Sequence, residues 1–415
     1  MESISLKIPR VLKGEVKLPL SKSECNRLLI VRAITGTDYW IPEISDAEDT
    51  VSLGRIIGEL KNHVDGNTYD VGPAGTSMRF LSAYLAATPG VYYLTGTARM
   101  KERPIGILVK ALEGLGADIE FSEKEGFPPL KIFGGMLQGG EIEVDGSVSS
   151  QFISALLMIA PTMHNGLVIH FKGNIVSRPY IDMTIRILER FGVYPVWDGN
   201  SLAVSNQKYL IDDPAKQFHV EADWSAASYW YAMVALAEEA DIFLPGLQKE
   251  SLQADSVCAL LFPFLGVTTT FEEKGIRLTK NGYRPNAFAF DFDDCPDIVQ
   301  TVAVTAAALK IPTLLCGLNT LRLKETDRIA ALKSELAKMG VSCEEPGRGM
   351  LEVKNFDGKL NSPLEIKTFE DHRMAMSFAP LALKHPGLLI ENPDVVKKSY
   401  PGFWNEIKKL GGEMK

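Results

Sequence analysis

The sequence lacks the usual nucleotide and metal signatures. Neither G-x-x-x-x-G-K-[ST] nor G-x-G-x-x-G occurs, which sets aside a phosphate-loop kinase. Five cysteines, Cys25, Cys258, Cys295, Cys316 and Cys343, are scattered with no C-x-x-C pair, so no zinc site or dithiol couple is indicated, and the thiols read as reduced and mostly buried. No apolar run is long enough to span a bilayer. The N-terminus MESISLKIPRVLKGEVKLPL has no basic region followed by an apolar stretch and a cleavage site, so a cytoplasmic location is expected. No long Lys/Arg run occurs, and the net charge is −8, so nucleic acid and acidic membrane are not expected as partners. The partner is expected to be a small molecule.

What is present is a long chain with a strong internal period. At 415 residues the chain exceeds the size of a single hydrophobic core, and two domains are expected. An Ala-rich apolar helix pattern recurs: SKSECNRLLIVRAI, GTSMRFLSAYLA, SSQFISALLMIA, WSAASYWYAMVAL, PDIVQTVAVTAAA and DHRMAMSFAPLAL. Taking Ser21, Gly75, Ser149, Trp224, Asp297 and Asp371 as equivalent starts, the intervals are 54, 74, 75, 73 and 74 residues. A second, amphipathic helix pattern ends in a glycine turn in the same rhythm, at Gly116, Gly192, Gly266, Gly340 and Gly412. Short alternating runs such as LEIKTF, GLLIEN, YYLTGTA and LVIHFKG read as strands. Each unit is therefore roughly βαβαββ.

Helices apolar nearly all round must be buried, so the first kind is expected inside, covered by sheets and by the second kind. Six units divide into two domains of three. The short first interval places the opening strand elsewhere, with residues 1–19 joining 222–415 and the N-terminal lobe running over 20–221. No Gly/Ser linker occurs at either crossing, which favours a hinge of limited travel over a flexible tether.

Helix starts suit anions, because unpaired N–H groups and the helix dipole point there. This chain loads them with cations: Lys22, Arg27, Arg79, Arg103 and Arg178 in the first half, then Lys324, Arg328, Arg373 and Lys398. Any one alone reads equally as a surface charge or an internal ion pair. Together, converged cations call for an anionic ligand. Ser149, Ser150 and Gln151 in VDGSVSSQF form a polar cluster suited to phosphate or to plain N-capping. Gly75 admits close approach of a ligand to the backbone, or marks a tight turn. Two carboxylates stand among the cations. Asp297 is a candidate base or a helix-dipole charge, and Glu325 is a candidate acid or the partner of a helix-surface ion pair. His372 reads equally as a structural or a catalytic histidine.

These segments, PLSKSECNRLLI, AGTSMRF, RMKERPIG, VDGSVSSQF, SRPYIDMT, LRLKETDR and DHRMAM, resemble in order and spacing the 5-enolpyruvylshikimate-3-phosphate synthase family, over essentially the whole chain. The resemblance implies a two-domain, inside-out α/β barrel built from six βαβαββ repeats, three per domain, with buried Ala-rich helices and an active site in the cleft between lobes. It implies transfer of the enolpyruvyl group of phosphoenolpyruvate to the 5-hydroxyl of shikimate 3-phosphate, with release of phosphate and no metal or organic cofactor. That reaction belongs to the shikimate pathway, leading to chorismate and aromatic amino acids, and is a glyphosate target. By similarity Lys22, Ser23, Arg27, Ser149, Ser150, Gln151, Ser177, Asp297 and Lys324 hold shikimate 3-phosphate. Lys22, Gly75, Arg103, Gln151, Arg328, Arg373 and Lys398 meet phosphoenolpyruvate. A monomer is expected.

The chain departs from the family at Pro73 and Thr320, where asparagines are usual. Asp297 is the expected base for the 5-hydroxyl. Glu325 is the expected proton donor and Lys22 its rival, because cations around a carboxyl favour its ionised form. The alternative is the enolpyruvyl transferase acting on UDP-N-acetylglucosamine. That family carries a reactive cysteine in the loop matching RMKERPIG, and this chain has none there.

Overall fold

The computed structural model describes residues 3–36, 41–210, 218–354, 356 and 363–415. The chain divides into two compact units. A C-terminal unit comprises Met1–Ser21, Asp46–Glu48 and Glu221–Lys415, and an N-terminal unit comprises Lys22–Ser45 and Asp49–Val220.

The α-helices among the described residues are α1 (Lys22–Thr35), α2 (Glu48–Leu60), α3 (Gly75–Ala86), α4 (Ala98–Lys101), α5 (Gly106–Gly114), α6 (Ser150–Ile159), α7 (Arg178–Glu189), α8 (Trp224–Leu236), α9 (Cys258–Leu261), α10 (Val299–Leu309), α11 (Arg328–Ala337), α12 (His372–Phe378) and α13 (Phe403–Lys409). The Ala-rich segments form α1, α3 and α6 in one unit and α8, α10 and α12 in the other. Each trio packs helix on helix. Their small residues permit close approach, and absence of a polar face leaves no side that prefers water. In α8 every residue but Ser225 is buried. At the centre of the C-terminal trio, hydroxyls bridge the three helices, Ser228 Oγ to Thr301 Oγ1 and Thr301 Oγ1 to Ser377 Oγ, each 3.1 Å.

Around the trios lie five four-stranded mixed sheets among the described residues, two in the N-terminal unit and three in the C-terminal one. All follow one scheme. Asn67–Asp70 pairs parallel to Gly90–Thr95, which pairs antiparallel to Leu130–Gly134, which pairs antiparallel to Asp118–Phe121. The rows containing Leu167–Lys172, Glu239–Pro245, Thr313–Cys316 and Leu388–Glu391 repeat this order. Each row is open. Ser3–Lys7 lies between Leu388–Glu391 and Glu413–Met414, and Val11–Glu15 runs parallel to Glu239–Pro245, so both opening strands complete sheets of the C-terminal unit. In the same unit the residues around Pro19 and Glu221 are stitched together: Leu20 bridges Ala222, Ser21 N–H donates to Glu221 C=O (2.8 Å) and Asp223 N–H to Pro19 C=O (2.9 Å).

Two sequence expectations are corrected here. The last left-handed turn falls on Gly411 (φ 88°), not Gly412; a Cβ on Gly412 would meet Ile407 Cγ2 at 2.4 Å, so packing rather than backbone conformation calls for glycine there. The amphipathic pattern that ends at Gly266 does not run as one α-helix. Pro263 lacks an N–H, and the short α9 gives way to a 3₁₀ turn over Phe262–Leu265.

Candidate active site

In the C-terminal unit the sequence-expected residues converge on one guanidinium. Arg328, at the start of α11, is 1% exposed in its side chain and faces three carboxylates. Its Nε meets Asp371 Oδ2 at 2.7 Å, Nη1 meets Asp297 Oδ1 at 3.2 Å, and Nη2 meets Glu325 Oε2 at 2.9 Å. Asp297 also takes Arg373 Nη2 at 2.9 Å and Lys324 Nζ at 3.7 Å, while Lys398 Nζ stands 3.8 Å from Glu325 Oε1. Local structure places each group. Asp371 caps α12 by accepting from Arg373 N–H (2.8 Å), and Arg373 donates to Tyr229 Oη (3.4 Å) on α8. Asp297 lies in the 3₁₀ turn Pro296–Ile298 that leads into α10.

Burial alone disfavours the Asp297 carboxylate, yet Arg373, Lys324 and Arg328 outweigh it and hold the carboxyl well below its usual range. Burial would likewise weaken Arg328, but Asp371 and Glu325 keep it firmly protonated. The sequence reading did not foresee that internal carboxylates answer these cations. Lys324, Arg328, Arg373 and Lys398 are set against Asp297, Glu325 and Asp371, so the protein's own carboxylates occupy most of the positive field.

The N-terminal unit carries a second group. Lys22 at the start of α1 pairs with buried Asp49 on α2, Nζ to Oδ2 at 2.8 Å. Arg27, one turn on, is buried and donates to Thr184 Oγ1 (2.7 Å), Ser23 C=O (2.8 Å), Ser154 Oγ (3.0 Å) and Tyr180 C=O (3.1 Å). Burial draws its pKa down to about 10, against weaker opposition from Tyr180 and Glu24. These bonds commit four of its five N–H groups. Ser149 caps α6 through Gln151 N–H at 3.4 Å, and Gln151 Nε2 donates to Thr76 Oγ1 at 3.0 Å, joining the starts of α6 and α3. Ser177 heads α7 in a left-handed conformation (φ 53°, ψ 36°) that costs a non-glycine residue on the order of 1 kcal/mol.

The start of α3 has no side-chain cap, because Ala74 stands at that position. Arg103 closes over it: a Cβ on Gly75 would lie 2.6 Å from Arg103 Nη1 and 2.8 Å from Nη2. Only the flexible end of Arg103 stands in the way of a side chain at Gly75. Changing Gly75 to alanine should push the Arg103 guanidinium aside, and a crystal structure of the variant with that guanidinium unmoved rejects this.

Two expected cations have other duties. Arg79 is buried and donates to Gly75 C=O (3.2 Å) and Pro104 C=O (3.1 Å), bracing the loop that carries Arg103. Arg178 stacks on Trp197 at 4.5 Å and meets Asp182 at 3.8 Å, a local surface arrangement. The sequence reading missed Asp49, Tyr229 and Asp255 and gave Asp371 no role. One signal was available: Asp223, Asp297 and Asp371 recur every 74 residues. Asp223 and Asp371 are caps, through Ala226 N–H and Arg373 N–H, and Asp297 alone is left to three cations. Among the described residues no group of three or more His, Cys, Asp or Glu is placed to hold a metal ion, and no helix is long and apolar enough to cross a membrane.

Buried cations at helix starts, answered by carboxylates, suit the site of a protein that handles small polyanions. The family model for EPSP synthase (3-phosphoshikimate 1-carboxyvinyltransferase) matches residues 6–407, and the chain belongs to that family. The 3-phosphoshikimate 1-carboxyvinyltransferase of Bacteroides fragilis strain YCH46 is 46% identical over 410 residues, covering 98% of this chain and 97% of the relative. That of Vibrio cholerae strain M66-2 is 36% identical, covering 99% and 100%. An EPSP synthase structure from Acinetobacter baumannii superposes with a TM-score of 0.75 at 23% identity, covering 100% of both chains, a likeness of mixed α/β fold.

Proposed function

We infer that this chain, as a member of that family, transfers the enolpyruvyl group of phosphoenolpyruvate to the 5-hydroxyl of shikimate 3-phosphate and releases phosphate. The reading rests most on the Asp297–Arg328–Glu325 constellation, which sets a base and an acid on one buried guanidinium. In the addition step Asp297 takes the 5-hydroxyl proton, the oxygen bonds to C2 of phosphoenolpyruvate, and the former double-bond electrons accept a proton at C3. In the elimination step the C2–phosphate bond breaks, a C3 proton leaves, and the enol ether forms. Substrate anions draw Lys324, Arg328, Arg373 and Lys398 toward themselves, which loosens their hold on Asp297 and Glu325. That exchange frees the first carboxyl to accept a proton and the second to carry one.

The residues assigned by similarity divide between the units. Lys22, Ser23, Arg27, Ser149, Ser150, Gln151, Ser177, Gly75 and Arg103 belong to one, and Asp297, Lys324, Glu325, Arg328, Arg373 and Lys398 to the other. We read both sets as serving one reaction. We also read the architecture as six βαβαββ repeats in an inside-out arrangement, three to each lobe. The uniform strand order of the sheets and the buried helix trios support this. Among the described residues no disulfide joins the five cysteines, in keeping with a reducing compartment. The decisive assay is phosphate release from phosphoenolpyruvate, which should require shikimate 3-phosphate and should not be supported by UDP-N-acetylglucosamine. The proton donor is tested by exchange of solvent deuterium into the phosphoenolpyruvate methylene. Glu325→Gln should cut exchange by at least tenfold, whereas wild-type exchange in that variant transfers the role to Lys22.

A further inference from the structure

The turn that carries Asp297 packs against α8, and so does a second turn whose carboxyl has no use in the reaction scheme. Asp255, in the 3₁₀ turn Ala254–Val257 packed against α8, is 3% exposed. Its Oδ2 accepts a hydrogen bond from Ser225 Oγ, at the first turn of α8. Its Oδ1 is buried with no hydrogen-bond partner among the described residues. A lone buried carboxylate oxygen is costly, and the group has a reason to hold its proton.

The charged and titratable groups acting on Asp255 come from every element around it: Asp297 and Cys295 from the turn before α10, Arg373 from α12, Asp223 from the α8 cap, and Cys258 from α9. Burial and Asp297 push Asp255 up to about 7, with Arg373 and the Ser225 hydroxyl pulling the other way. Asp255 and Asp297 thus oppose each other's ionisation while both feel Arg373.

Resting on the enolpyruvyl-transfer reading, we propose that Asp255 is a positioning residue that tunes the basicity of Asp297 by setting a second, switchable charge on the α8 side of the site, where both turns pack. With Asp255 protonated, Asp297 is a weak base held by its cations. Ionisation of Asp255 competes for Arg373 and repels the charge on Asp297, so the proton of the acceptor hydroxyl transfers more readily. No proton passes between the two carboxyls in this scheme.

The signs follow. A carboxyl raised in the folded state favours folding most at low pH, and that contribution fades as pH rises toward its folded value. Asp255→Asn cannot ionise, keeps the Ser225 contact, and should match or exceed wild-type stability above neutral pH. In the pH profile of kcat/KM, wild type should rise through a limb near neutrality. Asp255→Asn should lose that limb, equalling wild type at low pH and falling roughly 3- to 10-fold below it at high pH. Asp255→Glu should restore it. A limb unchanged in Asp255→Asn overturns the proposal.

A second arm needs no turnover. The neutral-range pH dependence of Tm should vanish in Asp255→Asn, and in Asp297→Asn it should move to lower pH because the opposing charge is gone. If Asp297→Asn leaves that inflection in place, the link between the two carboxyls is rejected. If instead wild type releases no phosphate, it is the reaction assignment that fails, and the Tm series still decides the link.

Discussion

Arg328→Met should destabilise the C-terminal unit by about 3–5 kcal/mol and cut turnover by at least 1000-fold. The stability loss comes from what remains. Asp371 is fully buried and its Oδ2 would lose the 2.7 Å contact with Arg328 Nε, leaving a carboxylate with one oxygen paired only to the Arg373 N–H and the other to nothing comparable. A buried carboxylate stripped of its main partner is strongly destabilising. Arg328→Lys should rescue little, because a single ammonium cannot answer three carboxylates lying in three directions at 2.7, 2.9 and 3.2 Å. Chemical denaturation followed by fluorescence checks this, since Trp224 and Trp230 are buried in α8 of the same unit. A loss below about 1 kcal/mol would show that the hub is dispensable.

The same geometry changes how ligand binding is to be understood. A site lined with bare cations repels itself and stays poorly ordered until an anion arrives. Here Asp297 and Glu325 hold Lys324, Arg328, Arg373 and Lys398 in place beforehand. On the proposed reaction, the substrates' phosphate and carboxylate groups would exchange with internal carboxylates, and the free energy of that exchange would be released at the proposed acid–base residues. In the N-terminal unit Asp49 plays this part for Lys22.

Much of this was legible in one sequence because periodicity survives divergence. The apolar helix pattern recurs because each trio must bury its helices on all sides, and the α8, α10 and α12 segments obey it almost residue by residue. Candidate site residues stand out in the sequence where they sit at repeat starts, as with Lys22, Gly75, Ser149, Asp297 and Arg373. Residues that act on those groups from other segments were not. Asp49 meets Lys22 across 27 residues and Ser225 meets Asp255 across 30, and neither SDAEDT nor SLQADS has a pattern marking it. The balance of charge was misjudged for the same reason: cations stand out at helix starts, while their partners arrive through tertiary folding.

Asp297→Asn should lower kcat by about 1000-fold while leaving the KM for shikimate 3-phosphate unchanged or lower. An amide has no basic oxygen to take the 5-hydroxyl proton, so the addition step loses its acceptor. Yet the same change removes the anion that now engages Arg373 at 2.9 Å, Arg328 at 3.2 Å and Lys324 at 3.7 Å. Those cations would meet the ligand without an internal competitor. The split between kcat and KM is what separates loss of a base from loss of the fold, since a damaged site weakens binding as well as turnover. Stability carries a matching sign. Asp297 is held below its ordinary range in the folded state, so its contribution is present at neutral pH and lost as pH falls through the folded value. The asparagine variant should therefore be less stable than wild type at neutral pH and converge with it in acid. Equal falls in kcat and in affinity would instead make Asp297 an anchor for Arg373 and require another group to take the hydroxyl proton.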